Sequence, residues 1–162
     1  MSYDSRPETQ AHIDRVRDFL AVAIMLLERR LESHDASKLV EPELSAFDIA
    51  TPKLASMEYG SEEYKQSLKE LGPALDHHFE NNDHHPEHHV TGVRGMSLMA
   101  LIEMLCDWRA ASERTKQRAD GDLYKNKTFA DSLEYNQERF KYSNELANIL
   151  YNTAEELGMF DD

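Results

Sequence analysis

The stretch SLMALIEMLCDWRAASERTK, residues 97–116, decides the fold class. Leu98, Leu101, Ile102, Leu105 and Trp108 or Arg109 recur at three- and four-residue steps, the repeat of one helical face, and no proline or glycine interrupts them. Asp107 falls on a neighbouring face with Ala100, Glu103, Met104 and Ala111, which sets a carboxylate among small and apolar side chains. A buried carboxylate is costly unless its charge is compensated. A metal ion does this, and so does a salt bridge to Arg109, Arg114 or a distant lysine. Cys106, among apolar neighbours in IEMLCDW, reads as a small core residue, and a single cysteine forms no internal disulfide.

Helical patterns extend outward in both directions. After a turn at Asp120-Gly121-Asp122, residues 128–140 and 143–158 read as two final helices, with Asn136 and Arg139 exposed near their join. Near the N-terminus, Ile13, Val16, Leu20, Ala23, Ile24, Leu27 and Leu31 mark one face of a helix running from Pro7 to about Glu32. A short helix continues after Pro42 through Glu43 and Phe47. ATPKLASMEYG (50–60) reads as an irregular connection, and two more helices span Ser61 to Gly72 and Pro73 to about Asn82. No stretch has convincing strand alternation, and there is no repeat or low-complexity linker. The expected fold is all-α, a single-domain bundle of six to seven helices over residues 1–162.

Chemistry concentrates in HHFENNDHHPEHH, residues 77–89, which holds six of the eight histidines. His78 shares a helical face with Ala74, Leu75 and Phe79 and is expected to look inward; His77 lies beside it, with Asn81 one turn on. Pro86 disfavours helix at His85, and Gly92 and Gly95 loosen the chain beyond it, so 83–95 reads as a loop rimming a site. Elsewhere the chain offers adjacent His34 and Asp35, with Lys38 one turn after Asp35, and Asp107 on its later helix. Imidazoles and carboxylates from several segments suit Zn, Mn or Fe, or Mg with more oxygen, as one or two ions. The competing reading is a solvated histidine loop on an acidic surface.

Composition narrows the partners. Thirty-one acidic residues against 18 basic ones give a net charge of −13, which disfavours extended nucleic acid and anionic membranes. No run approaches the roughly 18 apolar residues of a membrane span, and MSYDSRPETQ lacks the basic and apolar parts of a signal peptide, so a cytoplasmic location is expected. His12 precedes His34 by 22 residues with no helix breaker between them, which places them on the order of 30 Å apart. They share an ion only if the helix breaks or if a second subunit, as in a homodimer, lends one of them.

These residues carry a resemblance. His34-Asp35-Ala36-Ser37-Lys38 resembles the HD-x-G-K signature of the HD superfamily of metal-dependent phosphohydrolases, with Ser37 in place of the glycine. Leu105 to Ala111 resembles the helix bearing that superfamily's last metal aspartate. The segment from His77 to Pro86 is loosely similar to the His-His-Glu segment of the cyclic-dinucleotide phosphodiesterase branch, without its Gly-Tyr-Pro. Across nearly the whole chain, HDASK, TPKL, YGSEEYK, ALDHH, HHPEHH, EMLCDWRAAS, ADGD and NQERF resemble a family of small phage and bacterial proteins with no activity attached to it.

The superfamily likeness implies an HD-like helical domain whose His34, Asp35, His77, His78 and Asp107 hold the metal. It implies hydrolysis of a nucleotide or other small phosphorylated molecule, in the host cytoplasm if the chain is phage-encoded. Lys38 would neutralise phosphate charge, and His84, His85 or His88 would protonate the leaving oxygen or orient the substrate. Arg109, Arg139 and Asn81 are the candidate substrate contacts, each arginine with an ordinary salt bridge as its plainer role. A second metal would draw on His84, His85, His88, Glu43 or Glu103. A mixed-valent di-iron oxygenase and a non-catalytic nucleotide- or partner-binding module are the alternative functions.

Overall fold

Proline at the start and nothing to break the next 26 residues give one long helix, α1, over Arg6–Ser33. The computed structural model describes residues 3–54, 56–57, 61–118 and 128–160, with residues 114–118 described by backbone alone. Six further α-helices succeed it among them: α2 (Glu43–Leu54), α3 (Glu62–Leu71), α4 (Pro73–Asn81), α5 (Leu98–Arg118), α6 (Phe129–Phe140) and α7 (Asn144–Glu156). Short 3-10 turns lie at Ala36–Leu39, Pro86–His88 and Gly92–Gly95. The described residues contain no strand, so the fold is all-α.

Two compact units divide the chain, Met1–His34 and Asp35–Asp162. The first is α1 itself, 28 residues and about 42 Å long, with the ion pairs Arg17–Asp14 and Arg15–Asp18 along its surface. Because α1 is unbroken, His12 and His34 lie 22 residues apart on one rod, too far to share an ion within one chain.

In the second unit the core is built by α5, α6, α7 and the turn at Gly92–Gly95. Leu101, Met104, Leu105, Phe129, Leu133, Tyr142, Leu150, Ala154 and Val93 are buried together. Trp108 stacks on Phe140, with ring centroids 5.9 Å apart. On the other side, α2 packs against α3 and α4, and the turn at Ala36–Leu39 lies against α2 and α4.

Local signals place most helix ends. Ser61, Ser97 and Ser143 each accept a backbone N–H of the helix they precede, from Tyr64, Ala100 and Leu146. Thr128 and Asp131 form a full capping box at α6. Thr128→Ala is expected to cost about 1 kcal/mol, since a lost cap leaves a helix-end donor unsatisfied. Urea denaturation would read this as a lower midpoint at unchanged slope, and an unaltered midpoint would remove the cap from the stability account.

Four expectations need correction. The α5 stripe is rotated: Ala100, Leu101, Met104 and Leu105 are buried while Leu98 is 60% exposed, because the core lies on the side that carries Met104. Cys106 is exposed rather than a core residue, since it sits on the flank opposite that stripe. Asn136, expected at the surface, is 2% exposed, because Phe129, Leu133 and Asn136 share the face that α6 turns inward. Finally, α2 runs through Thr51-Pro52 to Leu54; a proline this close to a helix's C-terminal end removes one hydrogen bond without ending the helix earlier. The turn expected at 120–122 lies outside the described residues, as do Tyr59 and Gly60.

Candidate metal centre

The second unit begins at Asp35, in the left-handed region with φ 53°, an uncommon conformation that aspartate tolerates better than most residues. One carboxylate oxygen, Oδ2, accepts from Lys38 Nζ at 2.6 Å. The other, Oδ1, lies 3.5 Å from His78 Nε2 on α4 and 3.5 Å from His84 Nε2 just beyond it. His78 Nε2 in turn lies 2.8 Å from His85 Nε2. The ligand atoms of Asp35, His78 and His85 all fall within 4.8 Å of one another, and so do those of His84, His85 and Asp107. Asp35, His78, the His84-His85 pair and Asp107 come from four separate stretches of chain, so folding assembles the group.

Burial makes these imidazoles suitable donors. His78 and His84 are each 1% exposed. Desolvation is the main cause that lowers the His78 pKa, helped by the Lys38 charge and opposed by Asp35 and Glu43. The His85 pKa is pushed down to about 2, first by burial and then by His84 and His78. Both rings are therefore neutral at ordinary pH, the form that ligates metals. Phe47 and Phe79 pack against the His78 ring, with centroids 5.8 and 5.9 Å away.

Carboxylates sit behind both buried rings. Glu43, fully buried at the start of α2, faces His77 Nδ1 at 2.8 Å through Oε1 and His78 Nδ1 at 2.9 Å through Oε2. Burial would raise the Glu43 pKa, but hydrogen bonds from His77, Ser37 and His78 outweigh it and hold the carboxyl below its ordinary range. Glu103 Oε1 stands 3.2 Å from His84 Nδ1. Asn82, which the sequence did not single out, donates to Ser37 Oγ at 2.8 Å and to the His78 carbonyl at 2.8 Å. Its signal was its place one turn after His78 on the same helical face.

The remaining candidates have other surroundings. His77 is not in the converging donor sets and turns to Glu43. His34 is the exposed cap residue that closes α1. His84 is buried and not a rim residue, because the turn after α4 folds its ring inward between Asp35 and Glu103. His88 is exposed, with its Nδ1–H donating to the Phe79 carbonyl, and His89 Nε2–H donates to the Asp83 carbonyl. The 83–95 segment is thus tied down by its own histidines. Glu43 and Glu103 stand on the Nδ1 side of the rings, away from the convergence of Nε2 atoms. Arg109 pairs with Glu113 at 3.3 Å, Arg139 pairs with Glu87 at 2.9 Å, and Asn81 donates to the carbonyl of His77 on its own helix.

A family model described as a family of unknown function, DUF5662, matches residues 1–156. No curated protein and no solved structure matches the chain.

Proposed function

We propose that this chain, which belongs to the DUF5662 family, is a metal-dependent phosphohydrolase whose ion is held by Asp35, His78, His84, His85 and Asp107. One observation carries the metal reading: two buried histidines on different segments bring Nε2 within 3.5 Å of the same Asp35 oxygen. Bonds of about 2.1 Å to one ion separate neighbouring donors by about 3.0 Å in an octahedron and about 3.4 Å in a tetrahedron. The distances of 2.8, 3.5 and 3.5 Å among Asp35, His78, His84 and His85 fit the edges of one such polyhedron. The donors fall into two overlapping groups that would hold one ion or two, and three imidazoles with carboxylates favour Zn, Fe or Mn over Mg.

When bound, such an ion supplies Lewis acidity and a lowered pKa for water. The chain's own residues do the rest. Lys38, held beside the site by its Asp35 contact at 2.6 Å and two-thirds covered, offers its charge to a phosphoryl oxygen. Neutral, desolvated rings around the donors exclude bulk water, which strengthens every charge interaction there. The phosphohydrolase assignment rests on this donor set together with the His34-to-Lys38 motif and its likeness to the HD signature.

The test is a phosphate-release screen over nucleotides and small phosphate esters with Zn, Mn, Fe and Mg added in turn. Release from at least one substrate with a transition metal, and none after chelation, is the expected result. A protein that binds iron, consumes oxygen and releases no phosphate would replace hydrolysis by the oxygenase reading. Tight metal binding with neither activity would leave a binding module.

A further inference from the structure

A buried carboxylate that accepts three hydrogen bonds specifies where its partners keep their protons. Glu43 is fully buried, and a carboxylate has no proton to donate. Its contacts to His77 Nδ1 at 2.8 Å and His78 Nδ1 at 2.9 Å therefore place hydrogen on both nitrogens, and Asn82 Nδ2, 3.1 Å from His78 Nδ1, spends its two hydrogens on Ser37 Oγ and the His78 carbonyl instead. The hydroxyl of Ser37 also donates to Glu43, and Asn82 Nδ2 donates to Ser37 Oγ at 2.8 Å, which completes a directed chain toward the carboxylate. A neutral His78 with its proton on Nδ1 has a bare Nε2. That atom is the one facing Asp35 Oδ1 and His85 Nε2.

The same arrangement recurs on a different helix. Glu103 of α5 stands 3.2 Å from His84 Nδ1, and the opposite nitrogen of that ring faces Asp35 Oδ1 at 3.5 Å. Two carboxylates from α2 and α5 thus each face the Nδ1 of a ring whose Nε2 lies 3.5 Å from Asp35 Oδ1. We infer that Glu43 and Glu103 are positioning residues that fix His78 and His84 as Nδ1–H tautomers and aim their bare Nε2 atoms at the ion. His77 and Ser37 serve the same purpose one step further out, by filling the other acceptor positions of Glu43 so that its carboxylate cannot rotate away. Carboxylates in this outer position raise ligand basicity and hold ring orientation, and their loss costs about 10- to 100-fold in metal affinity.

The affinity part of this inference rests on the metal reading above, whereas the tautomer part stands without it. Long-range proton–nitrogen correlation spectra of the metal-free, nitrogen-15-labelled protein are expected to give His78 and His84 a protonated Nδ1 and a bare Nε2. An Nε2–H form at either ring would overturn the assignment for that ring. Zinc titration against a competing chelator is then expected to show about 10- to 100-fold weaker binding in Glu43→Gln and in Glu103→Gln. Glu43→Gln should also mix the His78 tautomers while leaving the His84 signals in place. Affinities within twofold of wild type in both variants would overturn the positioning role. If a variant fails to fold, the wild-type tautomers still decide. If the wild-type protein binds no zinc, iron or manganese, the metal reading fails, and the tautomer result continues to test the hydrogen-bond argument.

Discussion

Asp35→Ala is expected to abolish tight metal binding and, with it, phosphate release. Asp35 Oδ1 lies 3.5 Å from both His78 Nε2 and His84 Nε2, so its removal takes away a carboxylate oxygen that both rings approach. It also releases Lys38, whose Nζ sits 2.6 Å from Oδ2, and leaves a cation beside the vacated position. His78→Ala should have the same outcome by deleting a ring that is 1% exposed and makes the shortest donor–donor contact. Stability gives a second readout. A ligand present at about a thousand times its Kd stabilises the folded state by about 4 kcal/mol, which for a chain of this size raises the Tm by roughly 10 °C. Wild-type protein should show that rise with zinc or manganese, reversed by a chelator, and neither variant should. Unchanged metal content in both variants, measured by elemental analysis, would sink the site assignment.

Leu105→Ala and Phe129→Ala are expected to destabilise the second unit by about 3–5 kcal/mol each, since both side chains are almost wholly buried in the shared core of α5, α6 and α7. The cost has two parts, the lost transfer energy of the removed atoms and the cavity that the surrounding helices cannot fully close. Total stabilities of about 5–15 kcal/mol make either change severe. Leu98→Ala is the contrast: at 60% exposure it should move the urea midpoint by no more than about 0.5 kcal/mol in equivalent energy. Denaturant unfolding of the three variants therefore tests the rotation of α5. A larger loss from Leu98→Ala than from Leu105→Ala would restore the face read from the sequence.

That rotation illustrates why periodicity alone falls short. Leu98, Leu101, Ile102 and Leu105 form a stripe, but so do Ala100, Leu101, Met104 and Leu105, and a helix apolar over a wide arc does not say which part meets its neighbours. The neighbours decided it. Asn136 went the same way: as a polar residue near a helix end it read as exposed, yet it lies on the face with Phe129 and Leu133 that α6 turns toward the core. The 83–95 stretch read as an open loop because proline and glycine disfavour regular helix. It is held instead by 3-10 turns and by the carbonyl contacts of His88 and His89, which no local propensity encodes.

Helix positions and the all-α class were determined by the sequence, because capping residues, proline starts and the 3.6-residue repeat act within a few positions along the chain. So was the inward direction of His78, which comes from sharing a face with Ala74 and Phe79. The division of labour among the histidines was decided only by the tertiary structure. His77 and His78 are neighbours in sequence, yet one turns to Glu43 alone while the other also reaches Asp35 and His85. His84 moved from the expected rim to the interior, and Glu43 and Glu103 moved from candidate ligands to partners behind the rings. The periodicity of a helix assigns a side chain to a face; which imidazole nitrogen meets a carboxylate depends on where α2 and α5 place their acids in space.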